Sequence, residues 1–217
     1  MLYFTHFMSP TITDNYIFEF EPYEEEGSVL VVAEASWRGM ADELHDLHNL
    51  KGAQFINQLK QIVYYGDFHP IEGETNIFSA ISEQSEDFDN LINAARKAAE
   101  HGYRVYILPN PKGIRTADFI FERKGVVYKM FDLKTITGKN SVGNRLSESI
   151  GQTNRVFLHM TADYNPGTLA RSIKRYFEQN PYACEVIVYK GKKEISVTRK
   201  SLDDINFFRT FIRRYAK

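Results

Sequence analysis

From Tyr103 onward the chain alternates short runs of period-two apolar residues with longer stretches of helical period. YRVYIL, ADFIFE and VVYKMFDLKTI read as strands, and Lys124–Gly125 joins the last two in a tight hairpin turn. Ahead of them a helix carries Phe88, Ile92, Ala95 and Ala99 on its apolar side and ends at Gly102. A further helix, over residues 142–153, leads into the strand RVFLHM, so the expected order is α-β-β-β-α-β. A helix opened by Pro166–Gly167, a hairpin of EVIVYK and EISVTR, and a terminal helix over residues 202–215 complete the pattern.

Upstream, NYIFEF and SVLVVAEA are strand-like and flank the acidic loop EPYEEEG. A helical period then runs over residues 40–65 through Leu44, Leu47, Phe55, Ile56, Leu59 and Ile62, with HNLKGA as a break within it. The Gly- and Pro-rich GDFHPIEGETN marks a boundary, giving an acidic α+β region over 1–76 and a second domain over 77–217. The fold class expected is α/β (α+β) around a mixed central sheet.

Composition changes this picture little. A chain of 217 residues can bury a proper core, and one cysteine, Cys184, cannot form an internal disulfide. The opening MLYFTHFMSP has neither a basic n-region nor a continuous apolar h-region, and no stretch is long enough to span a bilayer. The expectation is a soluble cytoplasmic protein without a membrane partner, and its oligomeric state is left open.

Charge is more informative, because the near-zero net value hides a strong asymmetry. Residues 1–95 hold three basic and seventeen acidic residues, a balance of −14, whereas residues 96–217 hold twenty-four against eleven, a balance of +13. A basic half points to a polyanion, with nucleic acid the common case, although two oppositely charged faces packed together would also account for it. Arg171, Lys174 and Arg175 fall on one helix and Lys190, Lys192 and Lys193 near a hairpin turn, with Arg209, Arg213 and Arg214 on the last helix. Summed, they suit sequence-independent contact with a phosphate backbone.

Chemistry concentrates in VVYKMFDLKTI. Strand alternation puts Asp132 and Lys134 on one face and Phe131 and Leu133 on the other. Asp118 opens the antiparallel partner strand and approaches the same end. Two carboxylates at one point suit a hard divalent cation such as Mg²⁺, with Mn²⁺ or Zn²⁺ as alternatives, and a neighbouring Lys can orient water or offset charge. The triplet alone is weak, since Glu122–Arg123–Lys124 repeats it at the hairpin turn; its position late in the third strand gives it weight. The plain reading is a solvated ion pair.

In TADFIFERKGVVYKMFDLKTI and its flanking elements, over residues 86–160, the sequence resembles the PD-(D/E)xK nuclease superfamily. Within it the chain is most similar to the C-terminal toxin nucleases of bacterial contact-dependent growth inhibition systems, several of which cleave tRNA. The features shared are AAEHGYRVYILP, the Ala–Asp pair, the DLKT strand and NRLSESIGQTNRVFLHM. The resemblance implies a restriction-endonuclease-like core, metal-binding Asp118 and Asp132, a catalytic Lys134, RNA in preference to DNA as substrate, and an immunity or inhibitor protein as partner. Thr116–Ala117–Asp118 replaces the family's Pro-Asp. The family's acidic residue on the first helix has four contenders here, Glu86, Asp87, Asp89 and Glu100, of which Glu86 is favoured as a third metal ligand.

Gln152 would contact substrate phosphate from the helix backing the sheet, or is an ordinary helix-surface amide. The loop TGKNSVGNR offers Lys139, Ser141, Asn144 and Arg145 as phosphate contacts, or is a flexible connection. His45 and His48 stand three apart without an identifiable third ligand, His159 reads as a satisfied core residue, and Trp37 reads as packing. Two rival functions remain. One resembles the metal-independent barnase-EndoU-colicin-RelE ribonucleases, with Lys134 assisted by Thr135, Ser141 or His159. The other is a non-catalytic nucleic-acid-binding or protein-interaction module on the same scaffold.

Overall fold

The computed structural model describes Met40, Leu47, Leu50 and residues 52–81, 87–110, 115–138 and 141–216. The expected strands NYIFEF and SVLVVAEA, together with Trp37, His45 and His48, lie outside the described residues.

The described elements run α1 (Gly52–Tyr65), β1 (His69–Pro70), β2 (Ile77–Ser79), α2 (Phe88–Glu100), β3 (Arg104–Ile107), β4 (Phe119–Arg123), β5 (Val127–Ile136) and α3 (Val142–Glu148). They continue with β6 (Arg155–Met160), α4 (Pro166–Gln179), β7 (Glu185–Lys190), β8 (Lys193–Thr198), α5 (Arg199–Leu202) and α6 (Phe207–Ala216). The eight strands of the described residues form one mixed sheet in sequence order. Pairing is antiparallel for β3–β4, β4–β5 and β7–β8, and parallel for β2–β3, β5–β6 and β6–β7. The mixed α/β class is therefore as expected, and the order α2-β3-β4-β5-α3-β6 is the α-β-β-β-α-β run read in the sequence.

The local reasons are visible in the chain. Lys124 and Gly125 both adopt positive φ, 56° and 68°, the geometry that matches a two-residue turn to strand twist. Helix α4 starts on Asn165, whose side chain accepts from Thr168 N–H, followed by Pro166, whose fixed φ suits a first helical position.

Among the described residues three clusters make the core. On one face α2 covers Phe119, Phe121, Phe131, Leu133 and Phe157. On the other face α1 lays Phe55, Leu59 and Ile62 on Tyr106, Ile120 and Met130. Beside it α3, α4 and α6 pack on Ile136, Val156, Leu158 and Val188. Residues on both sides of position 76 thus share one sheet and one core, since β1 joins β2 and α1 packs against β3, β4 and β5.

Two expected helices change length. The helix of residues 142–153 stops at Glu148, and Gln152 falls in the turn that follows, beside Gly151 at φ 86°. The terminal helix of residues 202–215 is divided: α5 ends at Leu202 and α6 begins at Phe207, with Asn206 N–H donating to the Asp204 carboxylate between them. Asp and Asn side chains compete for backbone groups in this way, and they interrupt a period that the apolar pattern alone would continue. No described helix is long and apolar enough to cross a membrane.

Candidate active site

On β5 the even-numbered side chains Met130, Asp132, Lys134 and Ile136 share a face. Met130 belongs to the α1 core and Ile136 to the α3–α4–α6 core. Asp132 and Lys134 therefore lie between two apolar clusters, at the seam where one gives way to the other.

Asp118 reaches the same seam from the start of β4. The antiparallel register pairs Phe119 with Phe131, which puts Asp118 opposite Asp132 one step further. At that step the ladder becomes irregular: Asp118 N–H donates to the Phe131 carbonyl at 2.9 Å, and its carboxylate Oδ2 accepts the Leu133 amide at 2.6 Å. A side chain thus satisfies a backbone donor that a continued strand would have paired, which ties the Asp118 carboxylate to β5.

Lys134 completes the group, with Nζ 3.0 Å from both Asp132 oxygens. Only Oδ1 is aligned for a hydrogen bond; Oδ2 is buried and has charge contact without a hydrogen-bond partner. Asp132 is 1% exposed, and the Lys134 side chain 14%.

The electrostatics are those of an under-neutralised pair. Asp118 keeps part of its surface open, yet protein crowds its carboxyl group, and this desolvation raises its pKa well above the ordinary carboxylate value. The negative charge of Asp132 adds to the rise, and the Leu133 amide and the Lys134 charge partly oppose it. One ammonium faces two carboxylates.

Tyr176 of α4 lines the adjoining core, and the sequence reading missed it. Burial pushes its phenol up to about 12, with the Asn180 amide opposing and the Asp132 charge adding to the rise, so it lies within electrostatic reach of the site. Its helical neighbours Leu169, Ala170 and Ile173 mark a buried stripe, but nothing in the sequence links that stripe to Asp132.

The other sequence candidates scatter. Glu86 and Lys139 lie outside the described residues. Asp87 occupies the N-cap position of α2 without a side-chain capping bond, Asp89 lies in the first turn, and Glu100 pairs with Lys97 at 3.0 Å; α2 covers the face away from Asp132. The Gln152 amide donates back to the Glu148 carbonyl at 3.3 Å. Ser141 and Asn144 are exposed at and just inside the start of α3, and Arg145 pairs with Glu148 at 3.0 Å. Arg171, Lys174 and Arg175 are exposed along α4, as the sequence suggests.

His159 is buried as expected but not satisfied, because its Nδ1 has no hydrogen-bond partner. It aligns with Thr135 across β5–β6, on the face opposite Lys134. The Thr135 hydroxyl donates to Asn90 Oδ1 of α2 at 2.7 Å.

A divalent cation fits the donor set at the seam: two carboxylates, one with an orphaned buried oxygen, and a charge excess that a cation would relieve. Among the described residues no three His, Cys, Asp or Glu side chains gather as a metal group. Two carboxylates with the remaining positions left to water and substrate suit Mg²⁺ or Mn²⁺. They suit Zn²⁺ poorly, since it favours three or four nitrogen and sulfur ligands.

Compared with models of known protein families, with curated proteins and with solved structures, the chain matches none.

Proposed function

We propose that this chain is a divalent-metal-dependent endonuclease that hydrolyses phosphodiester bonds, acting on RNA, with tRNA the substrate that the resemblance favours. The observation that carries the reading is the convergence of Asp118 and Asp132 in one seam with a single neutralising ammonium, Lys134. The strand order and pairing of α2-β3-β4-β5-α3-β6 support a restriction-endonuclease-like core.

In this reading Asp118 and Asp132 hold the cation. When bound, it polarises the phosphodiester and makes water a stronger nucleophile near neutral pH. Leu133 N–H holds the Asp118 carboxylate in place, so the donor set is organised before substrate arrives. Lys134, anchored on Asp132 Oδ1, is positioned to orient the attacking water or to offset charge growing on the phosphate oxygens. Arg171, Lys174 and Arg175 supply backbone contacts on the neighbouring helix α4, and Ser141, Asn144, Arg145 and Gln152 are the substrate-facing candidates around α3. A toxin-like role would bring with it an immunity or inhibitor protein.

The metal-independent alternative is supported less, because it recruits Thr135 and His159, which alternation puts on the other face of the sheet from Lys134. The test is incubation of total tRNA and of plasmid DNA with the purified chain, in Mg²⁺ or Mn²⁺ and in EDTA. Cleavage of tRNA that needs the metal and disappears in Asp132→Ala is expected. EDTA-resistant cleavage would replace this reading with the metal-independent one, and nucleic-acid binding without cleavage in any condition would replace it with a binding module.

A further inference from the structure

Helix α6 carries three parallel stripes. Phe207, Phe211 and Tyr215 are buried against the sheet. Next to them Phe208 and Ile212 are each left 37% exposed, and Ile205 just ahead of the helix is 97% exposed. The third stripe is basic, with Arg209 and Arg213 exposed, and Lys174 of α4 holds Nζ 5.8 Å from the Phe208 ring centroid on the other flank. Scattered exposed apolar residues are ordinary, but Phe208 and Ile212, one turn apart on α6 with cations on both flanks, continue into Ile205 in the preceding turn, beside exposed Asp203 and Asp204, and together offer a docking surface. Its complement is an apolar segment edged with carboxylates.

The chain contains such a segment. Residues 12–27, ITDNYIFEFEPYEEEG, hold six acidic residues and no basic one, with Tyr16, Ile17, Phe18 and Phe20 among them. We propose that residues 12–27 dock on the exposed face of α6, pairing their carboxylates with Arg209, Arg213 and Lys174 and covering Phe208 and Ile212. The path is short enough. Met40 belongs to the core that includes Met130 of β5, and α6 packs on the same face of the sheet. From β5 to β8 is three strand spacings, about 15 Å, while the thirteen residues from 27 to 40 span up to about 45 Å when extended. Nucleic acid would take the cations but leave Ile205 and Ile212 in water, so the apolar stripe favours a protein segment. Docking there lays acidic residues over part of the basic surface of α4 and α6 and reduces its attraction for polyanions.

The inference does not rest on the phosphodiester reading, and its test needs no cleavage. Hydrogen exchange read by mass spectrometry compares the full chain with two variants, Phe208→Ser/Ile212→Ser and Arg209→Glu/Arg213→Glu. Both leave the buried stripe of α6 intact, and unchanged protection of β5, β6 and β7 verifies the fold. A tethered segment sees a local concentration on the order of 1 mM, so an affinity near 0.1 mM slows its exchange about tenfold. The wild-type chain is expected to protect residues 12–27 by that factor, and both variants to lose the protection. Exchange of residues 12–27 at the rate of a free peptide, or protection that survives both variants, overturns the proposal. So does protection that scales with protein concentration, which assigns the face to a second copy, or protection of α6 that appears only with added poly(U).

Discussion

Two carboxylate centres lie on opposite faces of β5, and they are neutralised in opposite ways. On the α2 face, buried Glu185 has two cations to itself: Lys129 Nζ at 2.7 Å and Arg155 Nε at 3.8 Å, with the Ser196 hydroxyl donating to its other oxygen at 2.6 Å. On the seam face the ratio inverts, with Asp118 and Asp132 sharing Lys134 and one buried oxygen left without a hydrogen bond. A buried carboxylate with its cations and hydrogen bonds in place is compensated for its desolvation; an under-neutralised one keeps an unfavourable free energy that a proton or a cation relieves. The first is the arrangement of a structural ion group, and the second is the one that the proposed function assigns to binding and catalysis.

Removing a carboxylate on each face separates the two roles, and the larger effect is expected at the seam. Asp132→Asn should lower tRNA cleavage on the order of a thousandfold or more while leaving the melting temperature unchanged or higher, because it relieves repulsion with Asp118. A large drop in melting temperature would make Asp132 a structural residue and dissolve the contrast. Glu185→Ala should do the reverse. It leaves Lys129 and Arg155 uncompensated, which costs about 3 kcal/mol in a denaturant titration, at the low end for buried pairs because Lys129 keeps 26% of its side chain exposed. Cleavage per folded molecule should be retained.

This contrast was only half legible in the sequence. Period-two alternation in VVYKMFDLKTI assigns Asp132 and Lys134 to a common face, whereas the register that brings Asp118 opposite Asp132 comes from a hairpin closing with Arg123 opposite Val127, one residue more than the Lys124–Gly125 turn predicts. The seam itself was not legible. It exists because α1 and the α3–α4–α6 group form separate clusters on the same face of the sheet, and the sequence pattern sets α1 in an acidic region of its own. Helical period reveals which side of a helix is apolar, not which face of which sheet receives it. Glu185 escaped notice for a related reason: its partners Lys129 and Arg155 come from two other strands, and no local spacing announces a contact made through parallel β5, β6 and β7.

If the seam is short of positive charge, a divalent cation should stabilise the folded chain. At about ten times its dissociation constant, Mg²⁺ should add about 1.4 kcal/mol to wild type in calorimetry or denaturant titration. Asp118→Asn and Asp132→Asn should gain nothing, whereas Glu185→Gln should gain as much as wild type. Equal Mg²⁺ stabilisation of all four proteins would mean that the cation binds elsewhere and that the seam is not a metal site.

The smallest effect concerns His159 on β6, another buried group without a hydrogen-bond partner, and it tests whether every orphaned atom here signals function. Burial lowers the pKa of His159, and the Lys97 charge lowers it further, so the folded state binds its proton less readily than the unfolded state. Stability is therefore fully present above the unfolded value of about 6.5 and declines as pH falls below it toward the folded value. His159→Gln should flatten that part of the melting-temperature profile and leave metal-dependent cleavage near wild type, because the side chain lies across the sheet from Lys134. Loss of cleavage in His159→Gln at unchanged stability would move the chemistry to the α2 face, where Thr135 and Asn90 already meet, and would make the metal-independent reading the stronger one.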